Sequence, residues 1–254
     1  MSIQPDAQLA PRILVAVADQ NLRHAASTTL RAHGYSVSAT TEQDAAVTLA
    51  RSFSPDIMVV DLSLQMPDGQ TLFEVLRSMT EAYVIALADL DDTRVQALRE
   101  GADDVVGAGT SPDELAARCH ALMRRPRSLN SRWDPSQASL IDLGVLTVDV
   151  GRKELRVHGV DVPATRIEFA LFEQLCRRPS EVCSRQQLIE AVWGPHWVGD
   201  THVVDVHLSN LRRKLQQHAP GLRFVHTVRG VGFRLSNDLL RTAGGGDDRT
   251  LASA

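Results

Sequence analysis

Five short apolar runs recur through the first half of the chain: RILVAV (12–17), YSVSA (35–39), DIMVV (56–60), YVIAL (83–87) and DDVVG (103–107). No other feature restricts the fold as strongly. The runs are β-branched and mostly apolar on both faces, as strands covered by helices on both sides must be. Helical patterns fill the gaps. Residues 21–33 set Leu22, Ala26 and Leu30 on one stripe and stop at Gly34, a residue suited to the left-handed turn that ends a helix. Thr41 to Phe53 sets Ala45, Leu49 and Phe53 on another. Ser111-Pro112-Asp113-Glu114 opens the last helix, with Ser as N-cap, Pro in the first turn and Glu closing a capping box. This alternation over 11–125 predicts a doubly wound, five-stranded parallel α/β sheet whose working edge is the carboxyl end of its strands.

Residues 126–138 lie in the stretch RPRSLNSRWDPSQA, which is polar, aperiodic and rich in Pro and Ser, and read as a linker. From 139 the pattern changes to short alternating runs separated by turn pairs, which suggests antiparallel strands. Two capping boxes follow, Thr165-Arg166-Ile167-Glu168 and Ser184-Arg185-Gln186-Gln187. A third helix is expected from about Thr201 to Gln217, then a hairpin, RFVHTVRGVGFRL, around Gly230. Residues 139–237 thus read as a second, α+β domain. Residues 1–10 and 238–254 read as flexible ends.

The net charge of −4 conceals an asymmetry: residues 11–125 carry 10 Lys/Arg against 16 Asp/Glu, and residues 139–237 carry 13 against 10. Two modules with different partners are expected. The three cysteines have no paired spacing, the N-terminus MSIQPDAQLA lacks the marks of a secretory signal, and no apolar run approaches the roughly 20 residues that span a bilayer. A cytoplasmic protein with no membrane partner is the expectation. Nothing in the sequence calls for a cofactor or a metal ion, and no nucleophile–base pair or phosphate-cradling glycine loop points to an enzyme.

On the third helix Val204, Leu208, Leu211 and Leu215 form a narrow buried stripe. Opposite lie His202, Val206, Ser209, Asn210 and Arg213, flanked by Arg212 and Lys214, with no acid among them. A polar, basic helix set after a shorter helix suits a DNA major groove. Arg229, next to Gly230 at the hairpin tip, suits a wing that pushes a cation into the minor groove. At these residues the chain resembles a known family. EVCSRQQLIEAVWG, VVDVHLSNLRRKL and HTVRGVGFRL are similar to the winged helix-turn-helix domain of the OmpR/PhoB response regulators. The resemblance implies that Trp193, His207, Arg212 and Thr227 touch phosphates, that Asn210 stands at a base-reading position, and that Arg229 is the wing arginine. Ser209-Asn210 replaces residues that are often basic, so a different base preference is expected. His202-Val203 replaces an Arg-Thr type pair and removes one charge and one hydroxyl.

Residues 11–125 then resemble the flavodoxin-like receiver domain of the same family, which takes a phosphoryl group on an Asp at the end of its third strand. That position is Asp61. The chemistry also needs two acids for Mg²⁺, a hydroxyl and a Lys. Those positions read Val17-Ala18, Ala88 and Ala108; Val105 stands at the aromatic switch position, and Gln65 where a Pro is expected. Asp19 lies one residue beyond the acidic pair, on the opposite strand face unless a bulge turns it. The resemblance implies a homodimer through helix 4, strand 5 and helix 5. Three charge pairs would set its register, Arg94 with Glu114, Asp103 with Arg125 and Asp104 with Arg118, around an apolar centre of Val95, Leu98 and Leu115. The expected function is a sequence-specific regulator of transcription that binds double-stranded DNA, with RNA polymerase as a further partner, and that does not rely on phosphorylation of Asp61. Two other readings stay open: an ordinary phosphorelay regulator phosphorylated on Asp61, with its pocket rebuilt by Asp19, or a titrator that pairs with another regulator.

Overall fold

The structure, a computed structural model, describes residues 10–123 and 140–244, apart from residues 81, 108, 196 and 198. The linker, Arg125, Ala108 and the chain beyond 244 lie outside the described residues. The chain divides into two compact units after His120.

The N-terminal unit alternates strand and helix throughout: β1 Arg12–Ala16, α1 Gln20–Ala32, β2 Ser36–Thr40, α2 Gln43–Ser52, β3 Ile57–Asp61, α3 Leu72–Met79, β4 Tyr83–Leu87, α4 Asp91–Arg99, β5 Asp104–Val106 and α5 Pro112–Met123. The strands are parallel, in the order β2-β1-β3-β4-β5. Each of the five predicted runs forms a strand, shifted by no more than a residue. β1, β3, β4 and β5 are almost wholly buried, whereas the edge strand β2 is largely exposed, consistent with its Ser-rich sequence. One face packs Leu14, Met58, Val60, Val84 and Ala86 against Phe73, Leu72 and Leu76 of α3. Gly34, at φ +85°, ends α1 as expected. The buried stripe of α2 is centred on Ala46 and Ala50, one residue on from the predicted one, because small side chains let the helix lie close to the sheet.

The C-terminal unit opens with a four-stranded antiparallel sheet, β6 Leu140–Asp142, β7 Leu146–Asp149, β8 Glu154–Val157 and β9 Val160–Val162. Helices α6 Arg166–Cys176, α7 Arg185–Val192 and α8 Val203–His218 follow. The short strand β10 Cys183–Ser184 precedes α7, and β11 Val225–Val228 and β12 Gly232–Leu235 form the hairpin after α8. β10, β12 and β11 make a three-stranded sheet. Both predicted capping boxes are formed, at Thr165/Glu168 and Ser184/Gln187. The expectation of a flexible end from residue 238 is corrected: α9 spans Asn237–Gly244. Leu239 is fully buried on it, and the Thr242 hydroxyl donates to Leu143 O. No helix among the described residues is long and apolar enough to cross a membrane.

Candidate nucleic-acid interface and the altered acidic edge

α8 packs on α6, α7 and β9, and is buried along two stripes rather than one. Val204, Leu208, Leu211 and Leu215 form the first, as expected. Val203, His207 and Asn210 form the second, spaced as one helical face. Asn210, expected at a base-reading surface, is therefore buried at 3 % exposure. Its Oδ1 lies 3.5 Å from Arg213 Nη2, at the outer limit of a hydrogen bond. The outward edge holds His202, Val206, Ser209, Arg213 and Gln216, spaced i, i+4, i+7, i+11 and i+14, all exposed except half-buried Val206.

His202 is the N-cap, and the helix starts at Val203 rather than Thr201. His207 and Trp193 are fully buried, with ring centroids 6.1 Å apart. Trp193 caps α7, which stops at Gly194 (φ +93°). Its indole Nε1 has no hydrogen-bond partner among the described residues. A buried donor of this kind is costly unless it meets an acceptor, and at 0 % exposure neither Trp193 nor His207 presents its ring to a phosphate, against the expectation.

Arg212 is committed inward. Its Nε donates to Val225 O (3.1 Å) and its Nη2 to the Thr227 hydroxyl (2.7 Å), tying α8 to the hairpin. Burial pulls its guanidinium below the ordinary arginine value. Its guanidinium and that of Arg185 both lie against the Phe233 ring, with carbons 5.6 and 4.9 Å from the centroid. Arg185 also grips Asp205 in a two-pronged pair at 2.8 and 2.7 Å, which holds the Asp205 carboxyl below its usual range. One acid on an otherwise basic helix asks for a cation, and that signal could have found Arg185 from sequence. Beside Arg212 and Thr227 a hollow of about 250 Å³ is lined also by Gln216, Arg223 and His226, none of them singled out beforehand. Arg229 is exposed at the hairpin tip, where the Val231 N–H donates to Val228 O and Gly230 takes φ +73°.

In the N-terminal unit, Asp61 ends β3 at the carboxyl edge of the sheet. Its Oδ2 accepts the Ala18 N–H at 3.1 Å, and its Oδ1 accepts the N–H (2.9 Å) and the hydroxyl (2.7 Å) of Ser63. Val17 is buried, Ala18 exposed, and Ala88 buried with its N–H on Val106 O. Asp19 is the N-cap of α1, its Oδ1 accepting the Leu22 N–H at 2.6 Å, so it does not stand in for the missing acids. Arg23 Nη1 donates to Val17 O and Ala18 O at 2.7 and 3.0 Å, which sets a cation against the turn after β1. A Mg²⁺ ion is poorly served here: the Asp61 carboxylate already accepts three hydrogen bonds, Asp19 is engaged as an N-cap, and no group of three or more His, Cys, Asp or Glu side chains that could hold a metal occurs among the described residues.

The residues expected on a pairing face are placed differently. Asp103 is buried at 1 % exposure, accepting the Val84 N–H (2.8 Å) and pairing with Arg77 (3.3 Å); its expected partner Arg125 lies outside the described residues. Asp104 and Arg118 do pair, at 2.9 Å, but inside one chain, with Glu114 2.7 Å from the same guanidinium. Burial pushes the Asp104 carboxyl up to about 6 against the pull of Arg118. Leu115 is buried too. The DDVV run is apolar on both sides of its acids, so covering helices draw the acids in. What remains outward on α4 is Val95, with Leu98 partly buried and Leu90 exposed just before the helix. The cysteines are buried free thiols, and burial pushes that of Cys119 up to about 12.

Comparison with known proteins assigns both units. Residues 13–120 match the model of the response regulator receiver domain, and residues 159–235 match that of the C-terminal domain of transcriptional regulatory proteins. The transcriptional regulatory protein PrrA of Mycobacterium tuberculosis is 38 % identical over 228 residues, covering 89 % of this chain and 96 % of PrrA. The DNA-binding response regulator MtrA of Mycolicibacterium smegmatis is 32 % identical, covering 88 % and 96 %. Among solved structures, a cysteine-to-serine mutant of RitR superposes with a TM-score of 0.66 at 23 % identity, over 89 % of this chain and 99 % of that one.

Proposed function

Because this chain belongs to the OmpR/PhoB-type response regulators, DNA-binding regulators of transcription that join a receiver to a winged helix, we propose that it is a cytoplasmic, non-enzymatic regulator whose receiver works without phosphorylation of Asp61. The observation that carries the DNA part is the outward edge of α8, with Ser209, Arg213 and Gln216 in line and exposed, together with the exposed Arg229 at the hairpin tip. Arg213 offers two parallel donors to guanine, Ser209 reads either donor or acceptor, and Val206 suits a thymine methyl. Asn210 acts by positioning Arg213. Thr227 and the hollow at Arg223 and His226 take backbone phosphates, which fix register without reading sequence, while fully buried Trp193 and His207 pack α7 against α8. Arg212 braces the wing.

The geometry at Asp61 supports phosphorylation-independence. Its carboxylate already accepts two N–H groups and one hydroxyl, and Val17, Ala18 and Ala88 stand where the family's acids and hydroxyl are expected. Two copies pair through Leu90, Val95 and Leu98, with the buried ion pairs serving each receiver internally. RNA polymerase is the expected further partner of a promoter-bound regulator.

The test is the affinity of unmodified full-length protein for duplexes selected from genomic fragments, at stated salt. Arg213→Ala weakens binding by about 1–3 kcal/mol and relaxes one base position; Arg229→Ala weakens it similarly and lowers the salt dependence. Unaltered binding in both variants refutes the interface.

A further inference from the structure

The receiver carries an excess of acid, yet residues 20–40, which make α1 and β2, contain no Asp or Glu. They carry Arg23, His24 and Arg31 around a groove of about 540 Å³, completed by Gln20, Asn21 and Ala39. That volume lies within the roughly 300–1,000 Å³ usual for small-ligand sites. The lining is polar and donor-rich. Among the described residues no carboxylate pairs with Arg23 or Arg31: each spends one nitrogen on backbone, Arg23 Nη1 on Val17 O and Ala18 O, and Arg31 Nη2 on Val37 O at 2.9 Å. Their other guanidinium N–H groups stay available. The nearest acid in sequence, Asp19, is held by the Leu22 N–H. Two guanidinium groups and an imidazole in one groove make a forked donor set for a polyanion.

The groove also reaches the altered edge of the sheet. The peptide unit that Arg23 holds by its carbonyls adjoins the Ala18 N–H, which is bound to Asp61. A ligand that drew the Arg23 guanidinium outward would release those carbonyls and loosen the turn on Asp61.

We propose that the α1–β2 groove binds a small polyanion bearing phosphoryl or carboxylate groups, and that Arg23 couples its occupancy to the β1–α1 turn and Asp61. The coupling rests on the reading that Asp61 is not itself charged with phosphate, which intact mass after incubation with a phosphodonor and Mg²⁺ tests separately. Inorganic pyrophosphate and citrate are titrated calorimetrically into the full-length protein, as the phosphoryl and carboxylate arms. Saturable binding of one of them with a Kd on the order of 1 mM or below is expected. Arg31→Gln and His24→Gln, both at exposed positions, weaken it about tenfold together, and Arg31→Lys keeps part of it. Hydrogen exchange at the Ala18 amide accelerates on binding. No saturable binding of either anion, or binding indifferent to the charge at position 31, overturns the site. Binding that leaves Ala18 exchange unchanged overturns the coupling.

Discussion

The two halves of this regulator meet the same requirement, placing polar groups at the end of a regular element, with opposite results. In the winged helix, inward-facing cations brace the scaffold so that others face out. Arg185 and Arg212 sit on the Phe233 ring and tie α7, α8 and the hairpin together, while Arg213 and Arg229 stay exposed. In the receiver, the polar groups at the carboxyl edge have turned to their own backbone: Asp61 to Ala18 and Ser63, Asp19 to Leu22, Arg23 to Val17 and Ala18. A site remains usable when structural and functional roles fall on different side chains. It closes when one carboxylate serves both.

Glycines offer the sharpest way to break this contrast. A Cβ on Gly232 would lie 2.0 Å from Cys183 O and 2.8 Å from the Ser184 Cα, both backbone atoms. Gly232→Ala must part β10 from β12 and move the N-cap of α7. We expect a loss of about 3 kcal/mol or more from the C-terminal domain and the disappearance of DNA binding. At the receiver edge a Cβ on Gly107 meets nothing nearer than 4.0 Å, so Gly107→Ala stays within about 1 kcal/mol. Calorimetric unfolding of both variants checks the pair; equal shifts would mean that the close approach at Gly232 does not hold β10 to β12.

The buried pair of the receiver gives the next effect. Burial raises Asp104 from 3.8 to about 6 in the folded chain. Between those values the folded state holds a proton that the unfolded state has released, so this group's contribution to stability falls as pH rises through that window. Asp104→Asn removes the titration. Relative to the parent, the variant gains on the order of 2–3 kcal/mol between pH 4 and pH 7, whatever constant cost it carries from taking the Asp104 charge away from Arg118. Urea unfolding across that range measures it. Parallel stability profiles would mean that folding does not raise the Asp104 carboxyl above its unfolded value.

Much of this was legible in the sequence. The strands, the capping boxes, Gly34 and Gly194 as helix ends, and the wing at Gly230 are set by local chemistry that a single sequence displays. The winged-helix assignment rested on motifs that keep both spacing and residue type. What escaped was decided by tertiary cover. Asn210 looked outward on a one-stripe wheel, but α8 is enclosed on two sides. Asp103, Asp104 and Leu115 read as surface residues and lie inside. Leu239 gave no sign that the eight residues of α9 would form a helix and bury it. The candidate pocket was half legible: the missing acids are plain, but that Arg23 and Asp19 had taken up backbone bonds at the same edge required coordinates.

The smallest expected effect tests the contrast most directly. Asp61→Asn keeps one oxygen acceptor and loses a charge. If the carboxylate only ties the Ala18 and Ser63 N–H groups to the strand end, the variant loses on the order of 1 kcal/mol of stability and binds DNA within about twofold of the parent, with or without a phosphodonor. A receiver switched at Asp61 would instead show its DNA affinity rise with phosphodonor and Mg²⁺ in the parent and not in the variant. A hydrogen-bond anchor answers to the substitution alone, and a phosphorylation site answers to the donor. Anisotropy titrations of both proteins under both conditions separate the two roles of Asp61.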